Sequence, residues 1–269
     1  MRAYLLSAVL IGCAAPDSSE LAEDFGTWEL VWEDDFEGSQ GEAIDTTTWT
    51  HEVGGDGWGN EQLEHNTDRT DNVRLDGAGN LEIVALKEDF EGNSYTSGRI
   101  RSLGGYQQSY GRYEARIKLP EGKGLWPAFW MLGADFEQVG WPTCGEIDIM
   151  EFRGDETYVS LGTIHGPGYS GGEGIGAEYT LPEGTFTDDY HTFAVEVDPE
   201  HIAWYVDDTL FQRITPADLP AGTPWVFDDS LFFILNLAVG GAFLSNPDEN
   251  TAFPATMSVD YVRAYERVD

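Results

Sequence analysis

Three carboxylates fall within six residues in the stretch GEIDIMEF, at Glu146, Asp148 and Glu151. Two carboxyls of unlike charge state can hydrolyse a glycosidic bond with retention of configuration. One attacks the anomeric carbon, and the other protonates the leaving oxygen and then activates water. A third carboxylate alongside pushes the pKa values apart, so one group stays protonated near neutral pH. In isolation the same hexapeptide equally suits a solvated acidic strand face or a calcium site.

The spacing constrains the element that carries these acids. Strict alternation along a strand places Glu146 and Asp148 on one face and Ile147 and Ile149 on the other. It would then send Glu151 to the apolar side, where a carboxylate is costly. A β-bulge at Ile149-Met150 restores the phase, returning Glu151 to the face of the other two. The pattern therefore predicts a bulged strand. Four to five strand positions span roughly 13–16 Å, whereas retention needs carboxyls about 5–5.5 Å apart. Curvature and the bulge must close that gap.

Strands of matching pattern surround this one. Residues 112–119 (RYEARIKL) put Tyr113, Ala115, Ile117 and Leu119 on one face and Arg112, Glu114, Arg116 and Lys118 on the other. Residues 191–197, 202–206 and 209–214 form strands joined by turns at Asp198-Pro199-Glu200 and Asp207-Asp208. Further runs lie at 28–36, 81–87, 126–132, 158–164, 231–238 and 257–261. No long stretch holds a helical period, and 32 Gly with 12 Pro suit many short strands and turns. These features predict an all-β antiparallel sandwich.

The chain has 269 residues and a formal net charge of -35, from 49 acids against 14 Lys plus Arg. That charge excludes nucleic acid and anionic membrane as electrostatic partners and implies a solvated acidic surface. The N-terminus, MRAYLLSAVLIGC, has an Arg and then an apolar run too short to span a bilayer. Its Leu-Ile-Gly-Cys ending resembles a bacterial lipobox. It predicts a lipoprotein signal over residues 1–12, lipid on Cys13, a flexible tether over 13–25 and a folded domain over 26–269. The chain is then exported, with lipid on Cys13 as its one link to a membrane; an ordinary signal peptide cut further on would instead leave it secreted. The second cysteine, Cys144, is left without a disulfide partner. Neither a zinc-spaced Cys/His set nor a phosphate-binding glycine loop occurs.

Residues 141–152 (WPTCGEIDIMEF) resemble the catalytic strand of family 16 glycoside hydrolases, in particular bacterial laminarinases. LVWEDDFEG at 30–38, GGDGWGNEQLEH at 54–65, YTSGRI at 95–100 and GLWPAFWMLG at 124–133 are similar to laminarinase segments in the same order. So are TIHGPGYSGG at 163–172, LNLAVGG at 235–241 and FPATMSVDYVRAY at 253–265. The resemblance implies a jelly roll with a concave polysaccharide cleft and a monomer acting on β-1,3-glucan without a catalytic cofactor. It implies Glu146 as nucleophile, Asp148 as its helper, Glu151 as acid/base and His165 facing the acids from the next strand, although a lone His is more often structural. It places Asn60 and Arg99 in the cleft, with Trp126, Trp130 and Trp141 as sugar platforms or core residues. It also implies structural calcium held by Asp260 and by backbone carbonyls at Asp35 and Gly79. Relatives acting on mixed-linkage glucan or xyloglucan lack the extra residue of the bulge. A same-fold hydrolase for β-1,3-1,4-glucan or an algal galactan is the alternative. A non-catalytic glucan-binding lipoprotein is disfavoured because all three acids are present. Two segments depart from the family pattern: Gln62 stands where Glu is usual, and AFLSNPDEN after LNLAVGG lacks a Trp.

Overall fold

The computed structural model describes residues 27–268, so Cys13 and the signal and tether segments lie outside the described residues. Strands are numbered in chain order. One sheet runs β12 (Ile175–Thr180), β11 (Val159–His165), β10 (Glu146–Phe152), β9 (Leu125–Gly133), β16 (Leu231–Val239), β7 (Arg99–Arg101) and β2 (Thr50–His51). The other runs β15 (Thr209–Ile214), β14 (Ile202–Val206), β13 (His191–Val197), β8 (Gly111–Lys118), β17 (Ala255–Arg267), β5 (Leu81–Ala85) and β4 (Val73–Leu75), with β1 (Trp28–Asp34) also on β17. Short strands β3 (Glu64–Asn66) and β6 (Tyr95–Ser97) pair in parallel. The two large sheets are antiparallel and face each other across one core, the sandwich that the strand pattern predicts.

Alternation makes that core. Tyr113, Ala115 and Ile117 of β8 are fully buried and meet Phe129 and Met131 of β9 and Phe233, Leu235 and Leu237 of β16. The opposite faces of β9, β10 and β16 are left free to build a groove. At the Asp207-Asp208 turn both residues have positive φ, 47° and 64°, which matches the right-handed twist of a two-residue hairpin.

The polar face of β8 does more than meet solvent. Arg112 is 9% exposed and lies 3.2 Å from Glu114 and 3.1 Å from Glu196. Tyr265 and Tyr205 donate their hydroxyls to the same two glutamates at 2.9 and 2.8 Å. Every charge in this cluster is thus hydrogen-bonded, the condition for burying ions at tolerable cost.

Strand pairing also assembles the corner named for calcium. Asp34 pairs Val262, and Leu81 pairs Val259, so the segments carrying Asp35 and Gly79 adjoin β17 near Asp260. Gly79 has φ +83°, and a Cβ there would stand 3.8 Å from the Asp35 carbonyl. Two carbonyls and a carboxylate suit a hard cation. Asp260 already accepts from Arg116 at 2.6 Å, and Asp35 from Arg263 at 3.1 Å, so an ion would share Asp260 with Arg116.

Candidate active site

The bulge forms where the sequence requires it. Between Asp148 and Glu151, β10 advances three residues while β11 advances two, from Thr163 to Leu161. Against β9, Asp148 pairs Trp130 and Met150 pairs the adjacent Phe129. Ile149 and Met150 both enter the core, at 1% and 0% exposure, and Glu151 returns to the groove beside Glu146 and Asp148. The five steps from Glu146 to Glu151 thus match four steps on β11, from His165 to Leu161.

His165 pairs directly with Glu146 on β11. Its Nε2 lies 3.1 Å from Asp148 Oδ2 and 3.6 Å from Glu146 Oε1. The imidazole fits because residue 174 is Gly: a Cβ there would fall 2.3 Å from His165 Cε1. Nδ1 of His165 and Oδ2 of Asp148 are both buried without a hydrogen-bond partner, so the Nε2–Oδ2 approach is a close polar contact and not a formed hydrogen bond. Ligand atoms of Glu146, Asp148 and His165 lie within 4.8 Å of one another, a set that a divalent cation could also occupy.

Each glutamate receives an indole N–H. Trp141 donates to Glu146 Oε2 at 3.0 Å, and Trp126 donates to Glu151 Oε1 at 3.1 Å. The two donors differ in burial: Trp141 is 51% exposed and Trp126 8%. Trp130 donates to Asn236 Oδ1 at 2.7 Å. The Arg99 guanidinium lies between two indoles, 4.6 Å from the Trp58 ring and 4.8 Å from the Trp130 ring. Glu52 holds Arg99 there by an ion pair and bonds Arg101 at 3.2 Å as well.

Burial dominates the electrostatics. Glu146 and Asp148 both sit well above the ordinary carboxylate range, chiefly because their charged forms are poorly solvated; for Glu146 the neighbouring Asp148 charge adds to this, and His165 opposes it. Two interacting carboxyls of this kind titrate as a pair and hold one proton between them over a wide pH span. Burial, and after it the Asp148 charge, pushes Glu151 up to about 8, against the pull of His165 and Trp126. At neutral pH Glu151 therefore carries a proton to give, and Glu146 can attack in the form in which the proton of the pair rests on Asp148.

This has a stability consequence whose sign is fixed. The folded chain keeps a proton on Glu151 that the unfolded chain releases near 4.5. The contribution is fully present below about 4.5 and is lost as pH rises through about 8. Glu151→Gln retains an acceptor for Trp126 and removes the titration. Its unfolding free energy should exceed that of the wild type by on the order of 2 kcal/mol at alkaline pH, with the gap closing in mild acid. Urea unfolding at two pH values measures this, and a pH-independent gap would refute the assignment of charge as its cause.

The family description "Glycosyl hydrolases family 16" matches residues 56–253. The chain belongs to glycoside hydrolase family 16. It is 42% identical to the β-glucanase of Rhodothermus marinus over 278 aligned positions, covering 99% of this chain and 94% of that one. Its fold matches that of the endo-β-1,3-glucanase from Pyrococcus furiosus with TM-score 0.86 and 49% identity, over 91% of this chain and 97% of that one. The laminarinase catalytic domain from Thermotoga maritima matches with TM-score 0.85 and 45% identity, over 90% and 99% of the two chains.

All nine residues expected at the family 16 cleft, Asn60, Arg99, Trp126, Trp130, Trp141, Glu146, Asp148, Glu151 and His165, line one groove. Their contacts refine the expectation for the tryptophans, each of which uses its N–H on a polar groove residue besides offering a ring. Sequence reading passed over Glu52, Trp58 and Asn236. Trp58 sits inside the quoted GGDGWGN segment and was within reach; Glu52 and Asn236 acquire meaning only through cross-strand neighbours. At the two departures, Gln62 and Phe243 line the groove, Phe243 beside Trp126 at 4.9 Å.

Proposed function

We propose that this chain is an endo-acting β-1,3-glucanase that cleaves with retention. One observation carries the reading: the bulged strand β10 presents Glu146, Asp148 and Glu151 together on the floor of an open groove flanked by tryptophans. The β-1,3 linkage is supported by the names of the P. furiosus endo-β-1,3-glucanase and the T. maritima laminarinase. In this mechanism Glu146 attacks the anomeric carbon as Glu151 protonates the departing oxygen. Water, deprotonated by Glu151, then releases the sugar. Asp148 holds the proton it shares with Glu146, leaving Glu146 ionised for attack, and His165 Nε2, 3.1 Å from Asp148 Oδ2, steadies the pair. Asn60, Arg99, Trp126, Trp130 and Trp141 line the subsites. The two carboxylates supply the chemistry without a cofactor. Reducing-end assays on laminarin, lichenan, agarose and carrageenan test the reading. Release from laminarin foremost supports it, and release from agarose or carrageenan alone assigns the groove to a galactan.

Two accessory features belong to the same proposal. Calcium at Asp35, Gly79 and Asp260 would brace β1 and β5 against β17, away from the chemistry. Added calcium should then raise Tm and EGTA lower it, both effects disappearing in Asp260→Ala; an unchanged Tm argues against the site. Lipid at Cys13 would hold the enzyme at a bacterial membrane after export. Cys13→Ala should leave an unprocessed precursor and shift activity out of the membrane fraction. Wild-type enzyme found soluble, with Cys13 removed, contradicts the anchor.

A further inference from the structure

Trp126 is placed to do more than offer a ring to a sugar. Its indole is 8% exposed and packs at 4.9 Å on Phe243. Gly241 also lies against it: a Cβ there would stand 3.4 Å from Cζ3. The ring is therefore fixed, and its one polar atom points at Glu151 Oε1, 3.1 Å away, inside a buried contact. Glu151 is free to meet it because Ala128, its partner across the β9–β10 pair, leaves only a methyl group in the way.

An indole nitrogen donates and never accepts. In a protonated carboxyl the carbonyl oxygen is the good acceptor and the hydroxyl oxygen the poor one. A fixed N–H on Oε1 thus makes Oε1 the carbonyl oxygen and leaves the proton on Oε2. Once Glu151 has given the proton up, the same contact becomes charge-assisted and strengthens. We infer that Trp126 is a positioning residue for the acid/base step: it selects the oxygen of Glu151 that carries the proton and stabilises the carboxylate that proton transfer leaves behind. The inference rests on the reading of Glu151 as acid/base.

The direction of the electrostatics agrees, since the Trp126 contact draws Glu151 downward against its burial. Trp141 serves as an internal contrast. It makes the equivalent bond to Glu146 from a half-exposed ring, which can move away as the nucleophile forms its bond to the sugar.

Trp126→Phe keeps an aromatic face and deletes the N–H. The first measurement needs no turnover: the titration of the Glu151 carboxyl, followed by carbon NMR as a difference against Glu151→Gln. Its pKa should rise by about one unit in Trp126→Phe, and no rise, or a fall, overturns the inference whatever the enzyme's substrate proves to be. The second is kinetic, on a β-1,3-linked oligosaccharide and on the same oligosaccharide carrying a dinitrophenyl leaving group. With the sugar leaving group kcat should fall about 10–100-fold, with KM within about twofold, and the basic limb of the pH profile should move upward. With the dinitrophenyl group, which needs little protonation, the loss should shrink to less than about fivefold. A raised KM at unchanged kcat would make Trp126 a sugar platform alone. Equal losses on both substrates would mean displaced structure rather than a misplaced proton. Wild-type enzyme inactive on all glucans would sink the proposed function while leaving the NMR result to judge the Trp126 contact.

Discussion

Glu146→Ser should abolish hydrolysis and spare glucan binding. The loss expected is on the order of 10⁴-fold or more in kcat, because the covalent intermediate has no other route. A serine hydroxyl is two bonds shorter than the carboxylate it replaces and is un-ionised, and the general base opposite it is a glutamate that enters the cycle protonated. The remaining groove contacts, with Arg99 held between Trp58 and Trp130, survive the change. Binding of a β-1,3-oligosaccharide should stay within a few-fold of the wild type. NMR of the first product from the active enzyme decides the chemistry behind this result. A β-anomer that appears first and later mutarotates supports Glu146 as nucleophile. An α-anomer appearing first means inversion, and the role of Glu146 is then wrong.

Glu151→Ala should cost about 10²–10⁴-fold on glucan, the range a general acid–base residue supplies. The size of the loss should depend on what leaves. A sugar alkoxide needs a proton and loses the full factor, whereas an activated aryl group leaves almost unaided, so the second step becomes limiting. Azide needs no general base. Added to the alanine variant with an activated substrate, it should enter the space vacated by the side chain and yield a β-glycosyl azide with a recovered rate. Formation of an α-glycosyl azide in this variant, or of a β-glycosyl azide in Glu146→Ser instead, would exchange the two roles. Trp126 remains in that variant with its N–H aimed at the vacant space, a ready partner for an incoming anion.

How much of this was legible before any coordinates depends on whether the information is local. The break in alternation at Met150 could be read from eight residues, since a carboxylate on a core face is costly enough to force a bulge, and the bulge is there. Apolar alternation likewise foretold most of the longer strands: the runs at 191–197, 202–206 and 209–214 match β13, β14 and β15. The two- and three-residue strands β2, β4 and β7 carry too few side chains to show a period, and they exist because longer neighbours offer them hydrogen bonds. Long-range polar contacts were out of reach for another reason. Glu52 matters through Arg99, 47 residues away, and Arg112 is neutralised in part by Glu196, 84 residues away. Nothing in the local pattern of Arg112 separates it from the surface arginine it resembles. The tryptophans show the same limit. Their place in the cleft was legible, but which polar atom each N–H would seek depended on the diagonal geometry of β9 against β10 and β16.

The bulge in β10 also bears on how such a strand can change over evolutionary time. Inserting or deleting one residue normally turns a strand inside out, since every later side chain moves to the other face. Here it need not. Losing Met150 would leave Glu146, Asp148 and Glu151 in simple alternation with Ile147, Ile149 and Phe152, with acids still on one side and apolar residues still on the other. The strand is therefore written so that two different lengths obey the same binary code. What differs between the lengths is the local twist, the volume that Met150 adds beneath the groove floor, and thereby the tilt of the last carboxylate toward whatever lies in the groove. A length change at this one point can remould the fit to a sugar chain while every reactive group keeps its identity and its side of the sheet.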